Sequence, residues 1–460
     1  MPRNLIAAAA AAALLGNAGA GAAQDAAMEI SIPYRAFTLD NGLRVVVHED
    51  HSVPVVAVNL WYHVGSANER PGRTGFAHLF EHLMFEGSEH VPEGRFDERL
   101  EAVGAINNGS TDTDRTNYWE TLPPNGLELA LWLEADRMGW LEAAITEQQL
   151  EAQRGVVKNE RRQSYENRPY GLAYETLSAA LYPPAHPYHW PTIGSMADLD
   201  AATLADVVAF FRTYYAPNNA SLAIAGDVDF GEVRALVQKY FAEIPAGPAV
   251  PPVQASDPTL AANVRRVLED DVQLPRLYVS WHTPALFGPE DAALDVAASV
   301  LADGKTSRLY RTLVYDRQVA QDVAAYQSSA ALGSDFTVVV TARPEVGLAA
   351  LEAEVRAELG RMAGEGIATR ELERARNARE TAFVDGLQTV GGFGGKADRL
   401  NQYLFYTGEP DWAGQDLARY RTLTPADVQA AVRRWLVEPH SVVLSVVPRG
   451  RTDLASGEGR

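Results

Sequence analysis

Residues 75–87 read GFAHLFEHLMFEG, and in the nine residues from Phe76 only His78, Glu81 and His82 are polar. Successive residues of a helix are about 100° apart, so these three side chains share one face. The remaining residues of the segment are apolar on every side, which predicts a buried helix. Three buried polar groups without partners are costly, and a metal ion is the partner that this set suits best.

The order His-x-x-Glu-His inverts the more familiar His-Glu-x-x-His zinc motif and is the pattern of the inverzincins. Two imidazoles one turn apart, with a carboxylate on the same face, favour zinc over a structural role. A single core histidine bonded to a backbone carbonyl is common, but two histidines and a glutamate on one apolar turn are rarer. The sequence therefore predicts a metal centre on this helix.

A catalytic zinc ion takes three protein ligands, so the chain must supply one more. The helical stretch LEAQRGVVKNERRQSYENRPYG offers Glu151, Glu160 and Glu166. Its Val-Val pair suggests a buried face, and Glu160 lies about one turn beyond that pair. The pattern favours Glu160 but leaves the other glutamates open, as well as an ordinary solvated helix face.

Composition excludes several classes of protein. The chain has 460 residues, 47% of them hydrophobic and 22% charged, as in a soluble protein of two or three domains. A formal charge of −20 argues against nucleic acid or an anionic membrane as the main partner. Cysteine is absent, which excludes disulfides, thiolate metal sites and cysteine nucleophiles.

The amino terminus has the pattern of a secretory signal peptide over residues 1–23. It combines Arg3, an apolar run over 5–15, and small residues at Ala18 and Ala20. A retained membrane anchor is the alternative. We expect export to the periplasm or secretion, with no membrane insertion after removal of the signal.

An internal repeat divides the rest of the chain. Thr203 and Asp206 open a helix that leads through a turn into a strand, and Thr424 and Asp427 repeat this plan. We predict an α+β fold of two homologous domains, each a mostly antiparallel sheet with helices packed on one face. The predicted boundaries are 24–245 for the domain with the metal motif, 246–262 for a linker, 263–450 for the second domain and 451–460 for a disordered tail.

Two further stretches carry local predictions. The stretch 37–65 predicts two strands, with a turn at Asn41-Gly42. The glycine-rich GGFGGKADRL, residues 391–400, lacks the Lys-Ser/Thr ending and the preceding strand of a phosphate loop. We interpret it as a flexible connection between helices.

Five blocks of sequence resemble the pitrilysin/insulinase family of zinc peptidases, and within it the short bacterial members akin to mitochondrial processing peptidase. The resemblance covers nearly all of the mature chain, and the blocks occur in the family's order. They are HLFEH, NGSTDTDRTNYWETLP, QRGVVKNERRQSYENRPYG, HPYHWPTIGSMADLDAAT and YYAPNNASLAIAGD.

The resemblance implies a role for each motif residue. His78 and His82 match the family's zinc-binding histidines, Glu81 its catalytic base, and Glu160 its third ligand, with one zinc ion per chain. Many relatives have a supporting glutamate seven residues before the third ligand. Gln153 occupies that position here; it can form hydrogen bonds but cannot carry charge.

The resemblance also implies a place for the substrate. The stretch 105–113, with Asn108, Gly109, Ser110 and Thr111, matches the family segment that forms the sheet edge beside zinc. Small and polar residues suit backbone pairing with an extended peptide. An ordinary hairpin is the alternative, because Asn-Gly is also a turn signal.

A departure from the family concerns the partner. Family members hold substrate with an arginine and a tyrosine of the carboxy-terminal half, and short members work as pairs of chains around a chamber. Here Val314 and Gln321 occupy those two positions. We therefore expect a heterodimer with a related chain that supplies the pair. In the alternative, a homodimer, other residues substitute for it: Arg311, Tyr315, Arg317 or Tyr326.

The sequence thus predicts an exported zinc endopeptidase that cleaves short or unfolded peptides inside a chamber of paired chains. Two other classes stay open. One is a non-catalytic structural subunit, which the substitutions at 153, 314 and 321 favour. The other is a chaperone-like chamber that binds peptides without cleaving them.

Overall fold

The computed structural model describes residues 30–457, so the predicted signal peptide and residues 458–460 lie outside the described residues. Its strands are β1 (Arg35–Thr38), β2 (Arg44–Glu49), β3 (Val56–Tyr62), β4 (Ile106–Thr111), β5 (Thr116–Leu122), β6 (Ala220–Gly226), β7 (Val264–Asp270), β8 (Arg276–Thr283), β9 (Ala320–Ser328), β10 (Ser334–Ala342) and β11 (Val442–Pro448).

The helices in this range are α1 (Phe76–Leu83), α2 (Arg95–Ala102), α3 (Leu127–Trp140), α4 (Glu147–Arg161), α5 (Ala173–Leu181), α6 (Met196–Asp200), α7 (Leu204–Tyr214), α8 (Phe230–Phe241), α9 (Asp291–Ala302), α10 (Leu348–Glu365), α11 (Thr369–Gly386), α12 (Lys396–Thr407), α13 (Ala413–Arg421) and α14 (Pro425–Val432). Within residues 30–457 no helix combines the length and hydrophobicity needed to cross a lipid bilayer.

The strands form two sheets with the same topology. The first has the order β1-β2-β6-β3-β5-β4 and the second β7-β11-β8-β10-β9. Each contains one parallel pair, β2 with β6 and β7 with β11, while all other neighbours are antiparallel. The second sheet thus repeats the path of the first without its opening strand. The predicted α+β fold of two mostly antiparallel sheets is confirmed.

The repeated Thr-x-x-Asp signals begin equivalent helices. In α7 the Thr203 hydroxyl accepts a hydrogen bond from the Asp206 N–H, and the Asp206 carboxylate accepts one from the Thr203 N–H. Thr424 and Asp427 form the same reciprocal pair at α14. Each pair satisfies free N–H groups of a first helical turn. The chain then enters β6 after α7 and β11 after α14, which are equivalent strands.

The two halves exchange one helix each. Helix α12, from the carboxy-terminal half, packs on β3 and β6 of the first sheet, and α5 packs on β8 and β11 of the second. Leu177 and Leu181 of α5 share an apolar cluster with Val442 and Leu444 of β11. Each sheet therefore has helices of its own half on one face and a helix of the other half on the opposite face.

Three local predictions were wrong: the number of strands in 37–65, the disordered tail, and the flexible connection at 391–400, which Asp398 holds in place. The stretch 37–65 contributes to three strands rather than two. The predicted turn separates β1 from β2, which pair with each other, and β3 follows as a third strand. The tail is ordered over 451–457, where Leu454 is only 6% exposed and the Ser456 N–H donates to Ser445 Oγ at 3.0 Å. The buried Leu454 side chain and this backbone hydrogen bond hold the segment in place, although its polar composition predicts disorder.

Candidate metal and catalytic site

Helix α1 begins without a side-chain cap of its own, because its N-cap is Gly75 in the left-handed conformation. The Glu69 carboxylate takes that role from outside the helix. It accepts hydrogen bonds from the N–H groups of Gly75 at 2.9 Å and Ala77 at 2.8 Å. Glu69 therefore fixes the first turn, from which His78 projects.

The structure brings His78, His82 and Glu160 together. Glu160 Oε2 lies 3.6 Å from His78 Nε2 and 3.4 Å from His82 Nε2. Ligand atoms about 2.0–2.1 Å from a tetrahedral zinc ion lie about 3.4 Å from one another, so these separations fit a shared ion. Within residues 30–457 this is the one group of three or more histidine, cysteine or acidic side chains close enough to hold a metal.

The electrostatics of the cluster suit metal binding. Burial is the largest cause that lowers the pKa of His78, to about 4, so this imidazole is uncharged at neutral pH and can donate a lone pair. The hydrogen bond with His82 lowers the pKa of Glu160, which keeps its carboxylate ionised. Neutral imidazoles and a carboxylate are the donors that zinc accepts.

Glu81 lies beside the three candidate ligands but points to the edge strand β4. Its Oε2 accepts a hydrogen bond from the Thr111 hydroxyl at 2.5 Å. A Cβ atom on Gly109 would lie only 3.3 Å from Glu81 Oε1, so glycine leaves the carboxylate room. Burial raises the pKa of Glu81, which moves it towards the range of a general base at neutral pH.

The residues expected to bind substrate lie on β4, which pairs with β5 on one side and forms the edge of the first sheet. Gly109 and Thr111 face the metal helix, and Asn108 and Ser110 face the opposite side, as strand alternation requires. The Asn-Gly pair lies inside the strand. The turn of the hairpin comes later, at residues 112–115.

Gln153 does not reach the candidate ligands. Its side-chain amide donates to Glu86 Oε1 at 2.6 Å, while Gln149 of the same helix donates to the Glu86 backbone oxygen at 3.1 Å. The carboxylate that meets position 153 is that of Glu86, just beyond the end of α1. Nothing in the local pattern identified Glu86, because its partners are more than 60 residues away along the chain.

The residue after Glu160 is held rigidly. Arg161 is 7% exposed, and it donates to the Gly194 oxygen and the Glu175 carboxylate, each at 2.8 Å. These contacts fix the last turn of α4 against two other segments. No sequence pattern indicates these contacts, although outer partners of this kind orient the ligands of metal sites.

The departures in the carboxy-terminal half lie on different surfaces. Val314 packs partly buried against the apolar core of that half, whereas Gln321 is exposed on β9, the edge strand of the second sheet. The four alternative residues also differ in environment. Tyr315 is 73% exposed, and the Arg311 guanidinium lies 3.7 Å from the Asp316 carboxylate. Arg317 forms an ion pair with Glu354 at 2.6 Å, and the Tyr326 hydroxyl donates to the Tyr174 hydroxyl at 2.8 Å.

Within residues 30–457 the duplicated α+β fold carries one candidate metal cluster beside a sheet edge, a combination that indicates a metallopeptidase of two similar halves. Two family models match the chain in succession: "Insulinase (Peptidase family M16)" over residues 44–186 and "Peptidase M16 inactive domain" over residues 201–379. The chain belongs to peptidase family M16, the insulinase or pitrilysin family.

Named relatives support the same assignment. The chain is 31% identical to the zinc protease PqqE of Helicobacter pylori, over 77% of this chain and 80% of that protein. It is 26% identical to a probable mitochondrial-processing peptidase subunit beta of Arabidopsis thaliana, over 58% of this chain and 50% of that one. Zinc is therefore the metal named for members of this family.

Solved structures have the same fold. A protease from Helicobacter pylori superposes with a TM-score of 0.85 at 27% identity, covering 91% of this chain and all of that one. The first half of the periplasmic protease PqqL from Escherichia coli gives a TM-score of 0.70 at 20% identity, covering 90% and 92%. The second comparison bears on the fold alone.

Proposed function

We propose that this chain is an exported zinc metalloendopeptidase that hydrolyses short or unfolded peptides. The observation that carries the proposal is the convergence of His78, His82 and Glu160, with Glu81 between them and the free edge of β4. These residues would hold one zinc ion per chain. Named zinc proteases among the relatives support the choice of metal.

Zinc, when bound, acts as a Lewis acid on a carbonyl oxygen and lowers the pKa of water to about 7. Glu81 accepts the proton of the attacking water and delivers it to the leaving nitrogen, so the peptide C–N bond breaks as a C–O bond forms. Thr111 orients the Glu81 carboxylate towards the strand edge. Arg161 and Glu69 hold the two helices on which the base and the ligands sit.

The substrate docks as an additional strand on β4. A free strand edge offers unpaired N–H and C=O groups to any extended chain, so the backbone supplies most of the affinity. Gly109 leaves the edge open directly beside Glu81. This mode selects peptides without stable structure, since a folded protein has no free extended segment to add.

Two chains enclose the chamber in this proposal, and the partner is a related chain that supplies an arginine and a tyrosine. The support is that Val314 is partly buried and Gln321 is uncharged, so neither position offers the pair. Size-exclusion chromatography and peptidase assays on the isolated chain test it. A fully active homodimer contradicts the heterodimer, whereas a weakly active chain that a related partner stimulates supports it.

Export to the periplasm or secretion rests on the signal pattern of residues 1–23 and on the periplasmic relative PqqL. Cell fractionation with an antibody against the chain tests this part. Release with the periplasmic or culture fraction supports it, and recovery of the full-length chain with the cytoplasm contradicts it.

A non-catalytic subunit is the second candidate function. Gln153, Val314 and Gln321 favour it, as does the inactive-domain model over the second half. Metal analysis combined with cleavage of a quenched fluorescent peptide decides between the two. Stoichiometric zinc with chelator-sensitive cleavage supports the peptidase. Peptide binding without cleavage, by the chain alone and with its partner, supports the alternative.

A further inference from the structure

The face of β4 that points away from the metal centre carries an exposed apolar residue. Ile106 is 63% exposed and pairs in register with Thr121 of β5, while Asn108 pairs with Trp119. Ile106 and Trp119 are therefore diagonal neighbours on one face, within reach of large side chains. A peptide added to this edge alternates its side chains between the metal face and this face.

A loop from the carboxy-terminal half lies on the same face. Gly391 approaches β3 and β5 so closely that a Cβ atom would lie 2.1 Å from Thr121 Oγ1 and 2.9 Å from Ala57 Cβ. Two residues later the Phe393 ring packs edge-on against Trp119, with centroids 5.5 Å apart, and remains 50% exposed. The glycines thus place an aromatic ring on β5, the strand that pairs with the edge strand β4.

The loop is fixed, in contrast to the flexible connection predicted from the sequence. The Gly394 N–H donates to Asp398 Oδ2 at 2.8 Å, and Asp398 Oδ1 accepts from Trp61 Nε1 at 2.9 Å and Asn117 Nδ2 at 3.1 Å. Gly394 itself has φ +73°, which suits glycine. One aspartate therefore ties the loop to two strands of the first sheet.

The two ends of this face differ in polarity. At the far end of β4, Arg115 Nη1 donates to the backbone oxygen of Ser110 at 2.9 Å and to its hydroxyl at 2.6 Å. At the near end, Ile106 and Phe393 present apolar surface, and Trp119, only 9% exposed, packs against the Phe393 ring. A peptide along this edge meets a polar environment at one end and an apolar one at the other.

We infer that Ile106, Trp119 and Phe393 form a subsite that receives a large apolar side chain, aromatic or branched aliphatic, of the peptide paired with β4. The subsite lies on the face opposite the metal centre and is completed by the second half of the chain. This inference rests on the proposed function, because the occupant is the peptide that docks on the edge strand. Backbone pairing with β4 does not depend on the peptide's side chains, so this subsite would be the source of side-chain selectivity.

The test uses the Glu81→Gln variant of the full chain, loaded with zinc and with its partner if one is required. Labelled peptides of about ten residues carry one phenylalanine, moved stepwise along a background of small polar residues. Fluorescence anisotropy gives the affinity for each position. We expect one position at which phenylalanine tightens binding by about tenfold, as expected for burial of an aromatic side chain.

Four further substitutions test the subsite. Phe393→Ser removes the preference at that position, Phe393→Leu retains most of it, and Val437→Ser, at a residue 44% exposed on another surface, leaves it unchanged. Gly391→Ala displaces the loop from Thr121 and weakens the preference with Phe393 intact. Zinc content and thermal midpoint, measured for each variant, show that the fold and the metal site persist.

The outcomes separate this inference from the proposed function. Suppose that peptides bind, that the chain with Glu81 intact cleaves them, and that Phe393→Ser leaves the positional profile unchanged. The subsite is then contradicted, while the proposed peptidase function is supported. If no peptide binds and none is cleaved, the proposed function fails and the subsite fails with it. A profile flattened by Phe393→Ser and retained by Phe393→Leu supports both.

Discussion

The Thr111 hydroxyl donates to the Glu81 carboxylate across 2.5 Å, which joins the edge strand of the first sheet to the helix that carries both histidines. The candidate base is thus oriented by the same strand that offers its backbone to a peptide. In the proposed mechanism this one hydrogen bond links peptide docking on β4 to proton transfer by Glu81.

Replacement of Glu81 by glutamine should abolish turnover and spare the metal. We expect kcat to fall by about 10³-fold, since a positioned base contributes about 10²–10⁴-fold. The zinc content, measured by elemental analysis, should equal that of the unmodified chain. The control is Glu89→Gln, at an exposed residue beyond the end of α1, and it should change neither turnover nor zinc content. Near-normal turnover in Glu81→Gln would show that another group is the base.

Replacement of Glu160 by glutamine should weaken zinc binding by more than about 100-fold, because even the outer partners of a ligand contribute about 10- to 100-fold. The rise in thermal midpoint on addition of zinc should disappear, since that rise depends on affinity for the folded state. Glu151→Gln, on the same helix but paired only with Arg154, is the matched control. Equal zinc affinity in the two variants would remove Glu160 from the ligand set.

Arg161 should act on the metal through position alone. Arg161→Met removes the hydrogen bonds to Gly194 and Glu175 and leaves a partly buried carboxylate without its cation. We expect zinc affinity to fall by about 10- to 100-fold, as measured by competition with a fluorescent chelator. Arg162→Met, at an exposed neighbour that contacts Asn159, should leave it unchanged. Equal effects of the two substitutions would refute a positioning role for Arg161.

Stability should depend on pH through Asp335, since burial raises the pKa of this carboxyl to about 6 from an ordinary value of 3.8. Below the ordinary value both folded and unfolded chains hold the proton, so the group costs nothing. As the pH rises through 6 the folded chain must ionise a partly buried acid, and the cost approaches about 3 kcal/mol. Asp335→Asn should therefore raise the thermal midpoint at neutral pH and have little effect below about pH 4.

Asp322→Asn, at an exposed position of β9, is the control for that pH series and should show no such trend. Differential scanning fluorimetry across the pH range gives the comparison. A gain from Asp335→Asn that is the same at acid and neutral pH would mean that the carboxyl is ionised at no cost.

The sequence predicted those parts of the site that depend on local order. His78, Glu81 and His82 follow from helix periodicity alone, because three polar residues on one apolar turn can share only one face. Glu160 needed the resemblance to a family, since helix periodicity left other glutamates open. The edge strand needed it as well, because the Asn-Gly pair inside β4 is locally indistinguishable from a turn.

The remaining features depend on contacts that no local pattern encodes. Glu86 meets Gln153, and Arg161 meets Glu175, only after distant elements have packed. The glycines around Phe393 predict a flexible segment. In the structure Gly391 instead allows the loop to approach β5 more closely than any side chain would permit. A glycine permits either a flexible segment or a close approach of two backbones, and tertiary packing determines which of the two occurs.

The exchange of α5 and α12 between the halves has an evolutionary consequence. A duplicated half without a site of its own would ordinarily be free to diverge or to be lost. Here Asn401, from the copy without a metal cluster, donates to the backbone of Asn59 in the other copy, 342 positions away. Because each half covers strands of the other, loss of either half would expose the sheet of the half that remains, so selection on one half also retains the other.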